Sequence, residues 1–219
     1  LRALYDGEIR YTENQIGRLV GHLKERDVLR NTLMVVTSDH GEEFLEHGSW
    51  EHQKTLYEEV IRVPLMVAGP GVTPRRETQP TSLLDIAPTI LDFLSVAPAP
   101  SMKGLSLLKP VPERREMYGE TDRTLDGSRL SFLRGGAASW KAILRTDPGK
   151  RDERSSQWFD LARDPGEKEN RPPAEALRAS IEARAKDLAL KSRSTAAGRP
   201  VELSSEQKEK LRALGYIGR

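Results

Sequence analysis

The chain has 219 residues, of which 37% are hydrophobic and 31% charged, and its formal net charge is +2. Because its lysines and arginines are interleaved with acids, it lacks the basic stretch that nucleic acids bind, and we expect no nucleic-acid partner. No run approaches the roughly eighteen apolar residues of a membrane-spanning helix, so no membrane segment is predicted in this chain. The absence of cysteine excludes disulfides, thiolate metal sites and a cysteine nucleophile.

The first hundred residues predict an alternation of helices and strands. Apolar residues at helical spacing predict a helix over residues 3–26 and another over 82–94. The β-branched run at 33–37 predicts a strand buried on both faces of a parallel sheet, and residues 63–68 predict a second strand. A helical turn is expected at 56–60. Helices alternating with strands are typical of an α/β fold.

The second half predicts a different architecture. After a proline-rich segment at 97–104, four short segments have the length and spacing of strands in a small antiparallel sheet: 116–120, 130–134, 139–145 and 157–161. An amphipathic helix is predicted at 174–191. A last helix is predicted from Ser204, with Gln207 as its capping-box partner, to Gly215.

The segment TSDHGEEFLEHGSWEH, residues 37–52, combines one Asp, four Glu and three of the chain's four His directly after the first predicted strand. In α/β sheets, ligands bind beyond the carboxyl ends of the strands, which is where Asp39 and His40 are expected. Carboxylate and imidazole ligands suit Ca²⁺ through oxygen, or Zn²⁺ and Mn²⁺ through both atom types. Gly41 leaves room for the backbone to approach a ligand closely.

The other polar residues of this segment have two interpretations. His47 and His52 could be ligands, or they could lie on the surface of an acidic loop. Glu42, Glu43 and Glu46 are interpreted as solvent-exposed, or as supports for ligands, rather than as ligands themselves.

Several motifs resemble the C-terminal half of a bacterial sulfatase of the alkaline phosphatase superfamily. They are TLMVVTSDHGEEFLEHG, YEEVIRVPLMVAGPG, SLLDIAPTILDFL, WFDLARDPGEKEN and EKLRALGYIG, in the family's order. The resemblance implies part of an alkaline-phosphatase-like α/β/α sandwich, followed by a small antiparallel sheet subdomain and C-terminal helices. The implied domains are residues 1–110 in the catalytic α/β domain, 111–172 in the sheet subdomain and 173–219 in a helical tail.

The resemblance also implies a site. Asp39 and His40 match the family pair that binds the active-site metal, with Ca²⁺ expected first and Mn²⁺ or Zn²⁺ as alternatives. His52 lies where many sulfatases place a lysine that contacts the sulfate and the leaving oxygen. A histidine can donate a hydrogen bond or protonate the leaving alkoxide. His52 could instead merely order the loop, and Lys54 is its rival for the catalytic role.

The chain departs from the family at the nucleophile, usually a formylglycine made from a Cys/Ser-x-Pro-x-Arg motif. The x-Pro-x-Arg sequence VTPRR has Val72 at the nucleophile position, and valine has no nucleophilic atom. The family's other metal ligands are also absent. We therefore expect the nucleophile region to precede Leu1, and this chain to act with a missing N-terminal half.

The predicted function is metal-dependent hydrolysis of sulfuric esters, of glycan or aryl type, in a full-length protein that is periplasmic or membrane-attached. This chain alone is expected to be inactive. Two alternatives remain open: a phosphodiester or phosphonate monoester hydrolase of the same superfamily, and a non-catalytic relic or interaction module.

Overall fold

The computed structural model describes residues 1–52, 54–121, 130–134, 139–145, 156–195, 204–207 and 209. The helices are α1 (Arg2–Glu25), α2 (Glu58–Ile61), α3 (Ile86–Phe93) and α4 (Glu175–Thr195). The strands are β1 (Met34–Thr37), β2 (Glu43–Phe44), β3 (Trp50–Glu51), β4 (Leu65–Ala68), β5 (Met117–Thr121), β6 (Leu130–Arg134), β7 (Trp140–Arg145) and β8 (Gln157–Asp160). No described helix combines the length and apolar character needed to cross a membrane.

Strands β1 and β4 form a two-stranded antiparallel sheet, in which Met34 faces Ala68 and Thr37 faces Leu65. The prediction of a parallel neighbour for 33–37 is therefore wrong for the pairing seen among the described residues. The physical reason is the connection. Parallel strands need a crossover, usually a helix, whereas the described part of the segment between β1 and β4 contains the two-residue strands β2 and β3 and the four-residue helix α2. The chain returns beside β1 in the opposite direction.

The four predicted strands of the second half form one antiparallel sheet in the order β5-β6-β7-β8. Its alternating side chains cover two faces. One face packs Leu133, Ala142, Leu144 and Trp158 against Ala185 of α4. The other face packs Ile143 and Phe159 against Leu56, directly before α2. The sheet is thus held between α4 and the segment that follows the acidic loop.

Helix α3 is preceded by a short 3₁₀ turn, Leu83–Asp85, which explains why the predicted helix over 82–94 begins late. Ser82 and Asp85 form a capping box there. Pro88 lies in the first turn of α3, where a missing N–H is tolerated. The predicted capping box of the last helix is also present, since Ser204 and Gln207 exchange hydrogen bonds. The remainder of that predicted helix, including Gly215, lies almost wholly outside the described residues.

Asp85 ties α3 to the segment that leads into the second sheet. Its carboxylate is fully buried, accepts both guanidinium bonds of Arg115 at 2.6 and 2.7 Å, and also accepts the Leu105 backbone N–H at 2.8 Å. Burial by itself would raise the pKa of Asp85, but the hydrogen bonds from Arg115 and the backbone hold that pKa below its ordinary value.

We predict that replacement of Asp85 by Asn destabilises the protein by about 3–5 kcal/mol at neutral pH, because Arg115 then keeps a charge without a partner. A lowered carboxyl pKa contributes stability above the unfolded value of about 4, and that contribution is lost as the pH falls through the folded value. The difference in unfolding free energy between wild type and Asp85→Asn is therefore expected to shrink below pH 4. Denaturant unfolding at pH 7 and pH 2.5 measures it.

The matched control is Asp92→Asn, since the Asp92–Lys109 ion pair at 3.2 Å leaves the lysine 71% exposed. We expect a much smaller loss there. Equal losses for the two variants, or a loss at Asp85 that does not depend on pH, would contradict the assignment.

Candidate active site

The loop after β1 carries the predicted metal ligands, and two hydroxyl groups stabilise its start. The Thr37 hydroxyl donates to the Pro64 carbonyl at 2.8 Å, which joins the end of β1 to the start of β4. The Ser38 hydroxyl donates to the His40 carbonyl at 2.6 Å. The loop therefore leaves the strand in a tight turn, with the side chains of Asp39 and His40 both lining an open cavity of about 990 Å³.

The potential ligand atoms of Asp39 and His40 lie close to each other. His40 Nδ1 lies 2.9 Å from the Gly41 carbonyl oxygen, and because a carbonyl can only accept, Nδ1 carries the proton. The lone pair of His40 is then on Nε2, which lies 3.7 Å from Asp39 Oδ2. A divalent ion binds nitrogen and oxygen at about 2.0–2.6 Å, so one ion between these two atoms can contact both. The donor set fits a divalent metal.

His52 lies against the same pair. Its ring stacks on His40 with centroids 3.8 Å apart and an angle of 19° between the planes. Its Nδ1 lies 3.2 Å from Glu42 Oε2, so a carboxylate holds the ring in this orientation. The other oxygen of Glu42 is buried, and no described residue forms a hydrogen bond with it. The structure therefore brings Asp39, His40 and His52 together, with Glu42 as the support of His52.

Lys54 has different neighbours. Its ammonium donates to the Trp50 carbonyl at 3.3 Å and to the Glu51 carboxylate at 3.0 Å. Within the part of the chain that the structure describes, no hydrogen bond or ion pair joins Lys54 to Asp39, His40 or His52. The roles of all four residues stay predictions, and their placement favours His52 over Lys54 as the group beside the metal ligands.

Gly41 packs the ligand loop tightly against α2. Its N–H donates to the Val60 carbonyl at 2.7 Å. A Cβ atom at this position would lie 2.0 Å from the Glu59 carbonyl oxygen, far inside van der Waals contact. Gly41 allows close approach to a helix, so the loop position depends on α2. Its predicted close approach to a ligand stays a prediction.

A second cluster, Glu43, His47 and Glu59, also has ligand atoms within 4.8 Å of one another. Glu43, fully buried rather than solvent-exposed, accepts the backbone N–H groups of His47 at 3.1 Å and Ser49 at 2.8 Å. His47 Nδ1 contacts Glu59, and its Nε2 lies 3.0 Å from the Glu167 carbonyl oxygen. Because protein groups already occupy these atoms, we interpret the cluster as a structural support of the loop. The His47 side chain is 10% exposed, so it lies mostly inside the loop, which the sequence pattern left undecided.

Sequence reasoning missed a buried ion cluster below α2. Lys141 of β7 is fully buried, and its ammonium lies 3.1 Å from Glu58 Oε1 and 2.7 Å from Glu167 Oε1. Burial raises the pKa of Glu167, against the attraction of the Lys141 charge. In a strand with alternating apolar and polar residues, a lysine is predicted to face solvent, so the strand pattern gave no indication that Lys141 is buried. The available indication was its acidic partner, Glu167 in DPGEKEN, which lies far along the chain.

Comparison with known proteins gives this arrangement its context. Residues 1–96 match the sulfatase family model. They form a sulfatase-family domain. Over 180 residues, the chain is 33% identical to arylsulfatase K of Gallus gallus, a match that covers 78% of this chain and 33% of the relative. It is 34% identical to choline-sulfatase of Rhizobium meliloti (strain 1021) over 176 residues, covering 77% and 32%.

The fold agrees with this membership. A solved structure described as a 2-O GAG sulfatase matches with a TM-score of 0.67 at 21% identity, over 88% of this chain and 43% of that chain. At that identity the likeness shows the fold alone, which is the alkaline-phosphatase-like fold with its small antiparallel sheet. The chain spans about a third of the length of the curated relatives it matches.

We predict that Gly41→Ala destabilises the protein by about 1–3 kcal/mol, because the added methyl group must displace either the loop or α2. The control is Gly17→Ala, since Gly17 lies within α1 and a Cβ there meets nothing within 4 Å. Alanine is the better helix former, so the control is expected to be neutral or stabilising. Urea unfolding compares the two, and a Gly41→Ala protein as stable as Gly17→Ala would contradict the packing described here.

Proposed function

We propose that this chain supplies the metal-binding and leaving-group side of a divalent-metal-dependent sulfatase active site. The observation that carries the proposal is the juxtaposition of His40 Nε2 and Asp39 Oδ2, 3.7 Å apart, with the His52 ring stacked on His40. Ca²⁺ is the first candidate ion, with Mn²⁺ and Zn²⁺ as alternatives. A cation between Asp39 and His40 would withdraw negative charge from the oxygens of a bound sulfate ester.

The role we assign to His52 is proton transfer to the leaving group. As the bond between sulfur and the ester oxygen breaks, that oxygen leaves as an alkoxide and needs a proton to depart as an alcohol. His52 stacks on a proposed metal ligand, and its Nδ1 is on Glu42, so Nε2 is the atom that would donate the proton to the ester oxygen of a bound sulfate. Glu42 keeps the ring from rotating away, because His52 Nδ1 stays on its carboxylate.

The nucleophile is proposed to come from a further sulfatase segment, as a formylglycine. Two features of the chain support a partner of this kind. The apolar side chains of Leu4, Ile9 and Leu19 on α1 are more than half exposed, and no residue of that helix is buried. Among the described residues, the sheet of β1 and β4 has two strands, which is marginal for a stable sheet in water. A sulfatase half that adds strands to this sheet and covers α1 would satisfy both.

A phosphodiester or phosphonate hydrolase is the second candidate, motivated by the Asp-His pair, which also suits phosphoryl esters. A non-catalytic relic is the third. Sulfuric ester hydrolysis is favoured because the family match and the curated relatives are sulfatases. Substrates of glycan or aryl type both remain within the proposal.

We predict that the 219-residue chain alone binds Mn²⁺ weakly, with a dissociation constant on the order of millimolar, because two ligands leave most coordination positions to water. Asp39→Ala or His40→Ala is expected to abolish this binding, and the control Asp6→Ala, an exposed acid on α1, is expected to keep it. Electron paramagnetic resonance of free Mn²⁺ measures the affinity. Binding that survives both loop variants would remove the metal assignment.

We predict that the isolated chain does not hydrolyse aryl sulfates or aryl phosphates, since it lacks the covalent nucleophile that the family uses. The assay is run with added Ca²⁺, Mn²⁺ or Zn²⁺ on a soluble monomer, beside the Asp39→Ala variant. Turnover well above that of the variant would show that a nucleophile lies within these residues.

In a protein that carries both halves, we predict that His52→Ala lowers kcat about 100-fold or more on alkyl sulfates and far less on activated aryl sulfates, because a good leaving group needs no proton. Lys54→Ala is the control at the neighbouring position and is expected to change both rates little. Equal losses on the two substrate classes in His52→Ala would remove the acid assignment. A selective loss in Lys54→Ala would transfer it to Lys54.

A further inference from the structure

The buried cluster of Lys141, Glu58 and Glu167 has a property that stability alone does not require. Lys141 and Glu167 have side chains with no exposed surface, and Glu58 is only 10% exposed. Arg134 completes the charge balance with a 2.9 Å contact to the other oxygen of Glu58. Withdrawing such charges from water is costly, and apolar residues of similar volume often stabilise a core equally well. Ionic groups add a defined orientation, because each ion pair or hydrogen bond fixes the relative position of its two partners.

In this cluster, the oriented contacts are made to α2. Glu167 Oε2 accepts the backbone N–H of Glu58, the first residue of that helix, at 2.6 Å. With four residues, α2 is far too short to be stable by itself. Its position is therefore set by what binds it, which is Lys141 of β7, Arg134 of β6 and Glu167 after β8.

From α2 the contacts continue to the candidate metal ligands. The Val60 carbonyl accepts the Gly41 N–H at 2.7 Å, and Gly41 lies against the Glu59 backbone with no space for a side chain. Gly41 follows His40 directly. A shift of α2 therefore moves the backbone of the metal-ligand loop.

We propose that Lys141 and Glu167 are positioning residues, which fix α2 and through it the orientation of Asp39 and His40. This proposal deepens the proposed function and rests on it for its meaning. The second sheet then contributes to the active site without contacting substrate. The rival explanation is that the cluster only adds to global stability, and the two explanations differ in what happens to the loop of a protein that is still folded.

The test uses the full 219-residue chain and the ring protons of its histidines. The chain has four histidines, so their NMR signals are few, and the exposed His22 on α1 is an internal reference. Stacking at 3.8 Å shifts the ring protons of His40 and His52 upfield by mutual ring currents. We expect Lys141→Met to move both signals toward the position of His22 while circular dichroism remains that of the folded protein. Lys109→Met, the same substitution at an exposed ion pair, is the matched control and is expected to move neither.

Two variants at Glu167 separate positioning from charge and do not depend on the folding of Lys141→Met. Glutamine keeps a carbonyl that can accept the Glu58 N–H, whereas alanine does not. We expect Glu167→Gln to keep the stacked histidine signals and Glu167→Ala to lose them. Folded Lys141→Met or Glu167→Ala proteins with unchanged His40 and His52 signals would overturn the proposal, as would equal effects of Gln and Ala at position 167.

Mn²⁺ distinguishes failure of this proposal from failure of the proposed function. In the wild-type chain, bound Mn²⁺ is expected to broaden the His40 and His52 signals selectively, and Lys141→Met is expected to weaken the apparent affinity about 10-fold or more. If Mn²⁺ broadens neither signal in wild type, the metal assignment fails. The histidine shifts without metal then still decide whether the cluster positions the loop.

Discussion

A lysine ammonium that has no contact with water must be neutralised by the protein around it, and this constraint shapes the region around the candidate site. Lys141 meets it with carboxylates from two distant parts of the chain, Glu58 beside the acidic loop and Glu167 after β8. If either carboxylate moved away, the cluster of Lys141, Arg134 and the other carboxylate would keep a net positive charge, which is costly in a buried site. The second sheet and the sulfatase-family segment are therefore joined by ions as well as by apolar packing.

The second sheet has two faces with different functions. The face that contacts α4 is apolar and resembles an ordinary domain core, built on Ala142, Leu144 and Trp158. The opposite face combines Ile143 and Phe159 with the buried charge of Lys141 and receives the segment around Leu56. Apolar contacts stabilise the packing on both faces of the sheet. The ion pairs of Lys141, which fix the orientation of their partners, lie on the second face. This face supports α2, which in turn supports the loop of Asp39 and His40.

The acidic loop shows how polar residues of one type can serve different purposes within a few positions. Glu43 is buried and accepts backbone N–H groups, so it maintains the shape of the loop. Glu42 orients His52, and Glu59 contacts His47. Asp39, by contrast, is exposed, and its contacts among the described residues are with the backbone N–H and the ring of the adjacent His40, so its carboxylate is accessible to an external ligand. Acidic side chains that form hydrogen bonds to protein groups are therefore interpreted as structural, whereas the exposed Asp39 is a candidate metal ligand.

Much of the fold was predictable because it depends on local patterns. The strands of the second sheet follow the alternation of apolar residues, and observed bounds such as Leu130–Arg134 coincide with the predicted segment. Helix α1 follows helical spacing in the same way. The parallel neighbour predicted for β1 was wrong because strand direction depends on the connection and on neighbouring strands, and a run of β-branched residues contains neither.

The sequence by itself determined the resemblance to sulfatases, most of the described elements apart from the short strands β2 and β3, and the position of Asp39, His40, His52 and Lys54 in one short segment after a strand. Spacing and residue type are sufficient for that, since both are properties of neighbouring residues. Only the tertiary structure decided that His52 stacks on His40 while Lys54 contacts Trp50 and Glu51. It also decided that Lys141 is buried, because the two carboxylates that make its burial possible are about 80 and 30 residues away and meet it only after the sheet has formed.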